Sequence, residues 1–162
     1  MIINILNKMQ LRFYVAKLQR RVGVCSQQYK KQDKHMLLWD FDNVSLDEII
    51  NALKKVQQNY YLPSIFVIKS SLVSYHAYCF TARTFQETIN ILSATPTIDM
   101  AYLKLGIVRG YFTLRITPRV DEPDFKLVNT LTSGFINEMS PDAMTINEYF
   151  TSNIGEKHNV KE

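Results

Sequence analysis

Hydrophobic positions between residues 35 and 131 form short runs separated by polar breaks, with two stretches at helical spacing. The run His35-Met36-Leu37-Leu38-Trp39 leads into Asp40-Phe41-Asp42 and predicts a buried strand that ends in acids. Ser45-Leu46-Asp47-Glu48 is a capping box, in which the serine accepts the amide three residues on and the glutamate reaches back. Ile49, Ile50, Leu53 and Val56 follow on one helical face, predicting a helix over 46–59. Pro63 restarts the chain, Ile65–Ile68 reads as a strand, Ser70 and Ser71 as a turn, and Tyr75–Phe80 as the returning strand. Thr84-Phe85-Gln86-Glu87 is a second capping box, with Phe85, Ile89 and Leu92 on the face of a helix to about residue 93.

Thr95-Pro96 closes that helix, and Asp99–Leu105 predicts a short one stopped by Gly106. Gly110–Thr117 alternates, is β-branched and aromatic, and predicts a strand ended by Pro118. Phe125–Leu131 reads as a further strand, and 141–150 as a helix behind Ser140 as N-cap. Leu11–Val15 fits either a strand or part of a basic helix. Strands and helices in this order give an α/β or α+β chain.

The 162 residues, 46% hydrophobic, suit a single domain with a substantial core. No apolar run reaches the roughly 18 residues of a membrane helix, and Met1–Leu6 is too short for a signal peptide. Cys25 and Cys79 lack partners at zinc spacing, so a reducing cytoplasm is the expected compartment. Charge divides the chain. Residues 1–35 hold eight Lys/Arg against one acid, residues 36–120 eight against six, and residues 121–162 three against eight. The chain thus reads as a basic N-terminal segment (1–35), a core (36–120) and an acidic extension (121–162). Arg12, Lys17, Arg20, Arg21, Lys30, Lys31 and Lys34 form a basic arm suited to a phosphate backbone, or else a solvated face balanced by the acidic tail.

Within the core, Asp40 and Asp42 are two residues apart on a strand, which places both carboxylates on one face about 7 Å apart at the Cα level. They repel unless a cation lies between them, and hard oxygen donors suit Mg²⁺ or Mn²⁺; the alternative is a solvated strand end turning at Asn43. Ser74 and His76 share a strand face and can hydrogen-bond a phosphate, although a lone histidine there is more often a packed residue. His35 and His158 read as surface residues. Asp99 is either a helix N-cap or a third metal carboxylate. Arg109, Arg115 and Arg119 surround the following strand; Arg115 needs an anionic partner or open solvent, and Lys69 at a strand end is another phosphate candidate. Gly-rich phosphate loops, Gly-x-Ser-x-Gly elbows, His-x-His pairs and Cys/His zinc sets are absent from the sequence, which excludes P-loop enzymes and serine hydrolases and disfavours rolling-circle nickases.

In order, these motifs are an apolar strand ending Asp40-x-Asp42, then Ser74-x-His76, then Ile98-Asp99 followed by an arginine-bearing strand. Over residues 36–120 the chain resembles the archaeo-eukaryotic primase superfamily, including the primase-polymerases of plasmids and viruses. The resemblance implies an α+β fold: a mixed or antiparallel sheet with an RNA-recognition-motif-like core and flanking helices. It implies a template-directed nucleotidyltransferase in which Asp40, Asp42 and Asp99 hold two divalent ions, Mg²⁺ or Mn²⁺. Ser74, His76 and Arg115 would contact the phosphates of a nucleoside triphosphate, with single-stranded DNA as template. The chain is short for that family and lacks its zinc motif and helicase domain, so a separate helicase or other replication protein is an expected partner. Asp121 and Asp124 compete with Asp99 as the third acid.

Two other classes fit parts of the pattern. Asp40-Phe41-Asp42-Asn43-Val44 also resembles the opening of haloacid-dehalogenase-like phosphatases, whose first aspartate is a nucleophile. Their later acidic pair would have to be Asp121-Glu122. A non-catalytic replication protein that binds single strands through the basic arm is the third class.

Overall fold

The structure, a computed structural model, describes residues 2–5, 9–12, 23–28, 33–116 and 125–137. Lys17, Arg20, Arg21, Lys30, Lys31, Arg119, Asp121, Asp124, His158 and the helix expected over 141–150 lie outside the described residues. Arg12 ends a short hairpin strand: β1 (Ile2–Ile5) pairs antiparallel with β2 (Met9–Arg12).

Among the described residues the chain is α+β, with three helices and antiparallel sheets only. β3 (Gly23–Cys25) is followed by β4 (Lys34–Asp42), whose stretch from His35 to Trp39 is buried throughout. The first capping box forms as the sequence predicts and starts α1 (Leu46–Asn59), Ser45 N donating to Glu48 Oε2 at 3.2 Å. β5 (Ile65–Lys69) and β6 (Ser74–Thr84) then make a hairpin around the Ser70-Ser71 turn. The second box at Thr84 and Glu87 starts α2 (Phe85–Ser93). α3 (Met100–Arg109), β7 (Thr113–Arg115) and β8 (Lys126–Leu131) complete the order.

The main sheet has strand order β4-β6-β5-β8, so β6 is inserted between the two strands joined by α1. A second, two-stranded sheet pairs β3 with β7, Gly23 opposite Arg115. Strand alternation puts Leu38, Asp40 and Asp42 on one face with Ser74, His76 and Tyr78. Trp39 and Phe41 point to the other face, into the hydrophobic core. There the indole N–H of Trp39 donates to Thr95 Oγ1 at 2.9 Å, and Thr95 in turn donates to the Ile91 carbonyl, locking α2 onto β4. At the far edge the buried side chain of Gln57 donates to the Pro63 and Leu131 carbonyls, both at 2.9 Å, tying α1 to β8.

Three expectations need correction. His35 is not a surface residue: it is buried, and its Nδ1 lies 3.0 Å from Ser26 Oγ, which also accepts the Phe112 amide at 2.9 Å. Burial lowers the pKa of His35 and keeps the ring neutral. Gly106 does not stop α3, which runs on to Arg109 and ends at Gly110 with φ of 81°, the left-handed conformation glycine adopts without penalty. The strand expected over 110–117 is correspondingly only Thr113–Arg115, because Gly110 caps the helix and Tyr111 and Phe112 turn the chain.

Gly106 is small for a packing reason. A Cβ there would run into the ring of Phe112, which is buried and cannot swing away. Gly106→Ala should therefore destabilise the protein by about 1–3 kcal/mol despite the better helix propensity of alanine. Urea denaturation checks this, and an equal or higher midpoint would refute the packing argument.

Candidate metal centre

The centre begins with β4. Its buried apolar run carries Asp40 to a position where the carboxylate side chain is only 24% exposed, while Asp42 emerges into solvent. The third acid comes from far along the chain. Pro96 and Thr97 turn the backbone after α2, with Thr97 at φ of 70°, an uncommon conformation for a β-branched residue. The Asp99 amide then donates to the Asp40 carbonyl at 2.9 Å, on the edge of β4 away from β6. Asp40, Asp42 and Asp99 consequently each offer a carboxylate oxygen within 4.8 Å of the others, a cluster able to hold a metal ion. The N-cap reading of Asp99 is borne out, since its Oδ1 caps α3 by accepting from the Ala101 amide at 2.7 Å, and the same carboxyl still reaches the acidic cluster.

Across the β4–β6 ladder His76 stands opposite Asp40, its Nε2 3.5 Å from Asp40 Oδ1 and its Nδ1 3.2 Å from the Tyr78 hydroxyl. Burial and the two neighbouring acids push the Asp40 pKa up to about 7. Burial, followed by the Arg115 cation, pushes His76 down to about 3. Without a metal, His76 thus stays neutral near neutral pH while Asp40 titrates there. A divalent cation held by the Asp40 carboxylate would favour its ionised form.

A cleft of about 200 Å³ opens beside the pair. Asp40, Asp42, Ser74 and His76 line it from the main sheet, and Thr113 and Arg115 from β7. The Arg115 guanidinium lies 5.6 Å from the centre of the Phe125 ring, and that ring meets His76 edge-on at 5.6 Å. The cleft therefore combines carboxyl groups able to hold a metal ion on one side with the Arg115 cation and the Thr113 hydroxyl on the other, a pattern suited to a polyanion.

Of the sequence candidates, Asp40, Asp42, Asp99, Ser74, His76 and Arg115 converge. Lys69 does not: it pairs with Tyr75 one position beyond His76, so alternation turns it to the opposite face. Arg109 lies at the far end of α3, beside Tyr111 in a separate shallow depression. Sequence reasoning missed Ser70 and Ser71, read only as a turn, which line the same cleft. The signal was the run of serines leading into Ser74-x-His76. Thr113 had no signal, since its place depends on the pairing of β7 with β3.

Comparison of the chain with protein-family models, with characterised proteins and with solved structures finds no match.

The Asp40 pKa predicts a pH signature. Between about pH 4 and 7 the folded, metal-free protein holds a proton that the unfolded chain has released, so this group's contribution is full at low pH and is lost as pH rises to 7. Asp40→Asn removes the loss. Thermal denaturation in chelator should show the variant gaining on wild type from pH 4 to 8, by on the order of a few kcal/mol. The lowered His76 pKa acts in the opposite sense in both proteins and leaves the comparison intact. Parallel profiles would show that Asp40 is not held protonated.

Proposed function

We propose that this chain is a metal-dependent, template-directed nucleotidyltransferase of the primase-polymerase kind. The observation that carries the reading is convergence of three short motifs separated by 36 and 23 residues of sequence: Asp40, Asp42, Ser74 and His76 line one cleft, and a backbone hydrogen bond brings Asp99 to Asp40, where it joins the acidic cluster. The inserted-strand order β4-β6-β5, with helices after β4 and β6, supports an RNA-recognition-motif-like core. The fourth strand departs from a compact motif of that kind, since β8 adds beside β5.

In this reading Asp40, Asp42 and Asp99 hold Mg²⁺ or Mn²⁺, which when bound supplies neutralising charge along the triphosphate and activates the attacking hydroxyl. Hard carboxylate donors that repel one another fit that group. Arg115 provides a fixed positive charge for the phosphates, and Ser74, Ser70 and Ser71 provide hydroxyl donors at the cleft wall. His76, neutral and held between Asp40 and Tyr78, offers a ring nitrogen whose tautomer is set by those partners. A nucleotide positioned by these groups needs mainly alignment and charge stabilisation for in-line transfer to a primer hydroxyl. The phosphatase alternative lacks support here, because no lysine lines the cleft among the described residues.

Primer extension with Mn²⁺ and nucleoside triphosphates tests the proposal. Asp40→Ala with Asp42→Ala should abolish extension and Mn²⁺ binding while the protein stays folded, since removing two repelling carboxylates does not harm the metal-free fold. Unchanged extension would sink the assignment. His76→Ala should leave Mn²⁺ binding intact and weaken nucleotide binding by about 10- to 150-fold, the loss of one strong hydrogen bond. Phosphate release from a monoester without any extension, indifferent to this change, would instead favour the phosphatase class.

A further inference from the structure

Lys69 and Lys126 stand directly opposite each other on β5 and β8. Like charges at opposed sheet positions destabilise the pair. Among the described residues neither lysine has an acid within ion-pair distance. On the other side of Lys69 the register partner is Tyr75, so the sheet end carries a row Lys126–Lys69–Tyr75, with Lys126 exposed and the other two half-buried. This row occupies the face opposite His76 and Asp40.

The β5–β6 turn beside the row exposes two consecutive large apolar side chains, Leu72 at 74% and Val73 at 56%. The turn is firmly built. Ser71 Oγ accepts from the Ser74 amide at 3.1 Å and the Val73 amide at 3.4 Å, and the Val73 carbonyl accepts from Asn43 at 3.0 Å. One edge of the same turn, at Ser70 and Ser71, lines the cleft. An apolar tip thus separates the candidate metal centre from a pair of cations that no acid among the described residues neutralises.

We propose that this strand end is a lip that grips a single-stranded nucleic acid, the template of the reaction proposed above. That reading supplies the identity of the strand. The two ammonium groups, on strands whose opposed Cβ atoms are about 5 Å apart, hold neighbouring backbone phosphates. Tyr75 and the Leu72-Val73 tip offer bases an aromatic and apolar surface of the kind single-strand binders use. The anionic backbone also relieves the repulsion between the lysines. Charge complementarity together with adjacent stacking surface selects a nucleic acid over an acidic protein.

The test uses the full-length chain, a labelled oligothymidylate and fluorescence anisotropy across a KCl series in chelator, with Mn²⁺–nucleotide binding measured separately. Lys69→Ala with Lys126→Ala should reduce the slope of log affinity against log salt by about 1.4, two phosphates at about 0.7 each for a single strand. Lys69→Arg with Lys126→Arg should restore it. Leu72→Ser should weaken binding severalfold at unchanged slope. Mn²⁺–nucleotide binding should be the same in all variants, and the melting temperature of the double alanine variant equal or higher. A slope unaffected by the lysines, a wild type that binds no oligonucleotide, or equal binding of polyglutamate would overturn the lip. A wild type that fails to bind Mn²⁺–nucleotide yet loses slope with the lysines would overturn the nucleotidyltransferase reading and leave the lip standing.

Discussion

Among the described residues the outer edge of β4 has no neighbouring strand along most of its length, and the site depends on how its backbone groups are satisfied. Unpaired strand groups invite other chains and cost free energy when buried. Here distant segments occupy them in turn. Near the start of the strand the Met36 amide donates to the Ser26 carbonyl, and the Lys34 carbonyl accepts from Gln28. The Tyr102 hydroxyl then donates to the Leu38 carbonyl, and the Asp99 amide to that of Asp40. The last of these bonds has a second effect, since it delivers a third carboxylate to a pair that already repels. Edge protection and assembly of the acidic cluster are thus one event.

The same strand sets the electrostatics. A carboxyl at the end of a fully buried run loses hydration, while one two residues further on keeps it, so Asp40 and Asp42 differ in character although they share a face. His76 is buried deeper still, and Arg115 reaches it from a different sheet. In the metal-free protein the charged forms of both Asp40 and His76 are disfavoured. Proteins tolerate such arrangements where a ligand or reaction relieves them. The surrounding core of Trp39, Phe41, Leu53, Ile65 and Tyr78 supplies the rigidity that keeps the charges from drifting apart.

Local signals in the sequence were strong enough to locate most elements. Both capping boxes start their helices where the spacing of Ser45 with Glu48 and Thr84 with Glu87 predicts, and the hairpin around Ser70 follows from its two apolar runs. The shared face of Asp40 with Asp42, and that of Ser74 with His76, was equally readable, because period-two alternation fixes faces within a strand before any pairing is known. What stayed hidden was non-local. His35 is buried because Ser26 and Phe112 meet it, and nothing within a few residues announces those contacts. Gly106 reads as a stop until Phe112 is seen against it. Lys69 looked like a neighbour of the phosphate site because distance along a strand says less than its parity. No comparison with known proteins supplied these links.

Trp39 gives the molecule a built-in optical probe. It is the sole tryptophan of the chain, fully buried, with its indole N–H engaged by Thr95, and it immediately precedes Asp40 on the strand. Its emission therefore originates one peptide bond from the residue whose carboxyl belongs to the acidic cluster, yet on the opposite, dry face of the sheet. Any reagent that alters the centre must act on this chromophore through the backbone and the local field rather than by collision. A quencher dissolved in water has no route to the ring in the native state. A change of charge in the acidic cluster and unfolding would consequently leave different spectroscopic traces in the unmodified protein, the first as a field effect on a protected fluorophore and the second as its exposure.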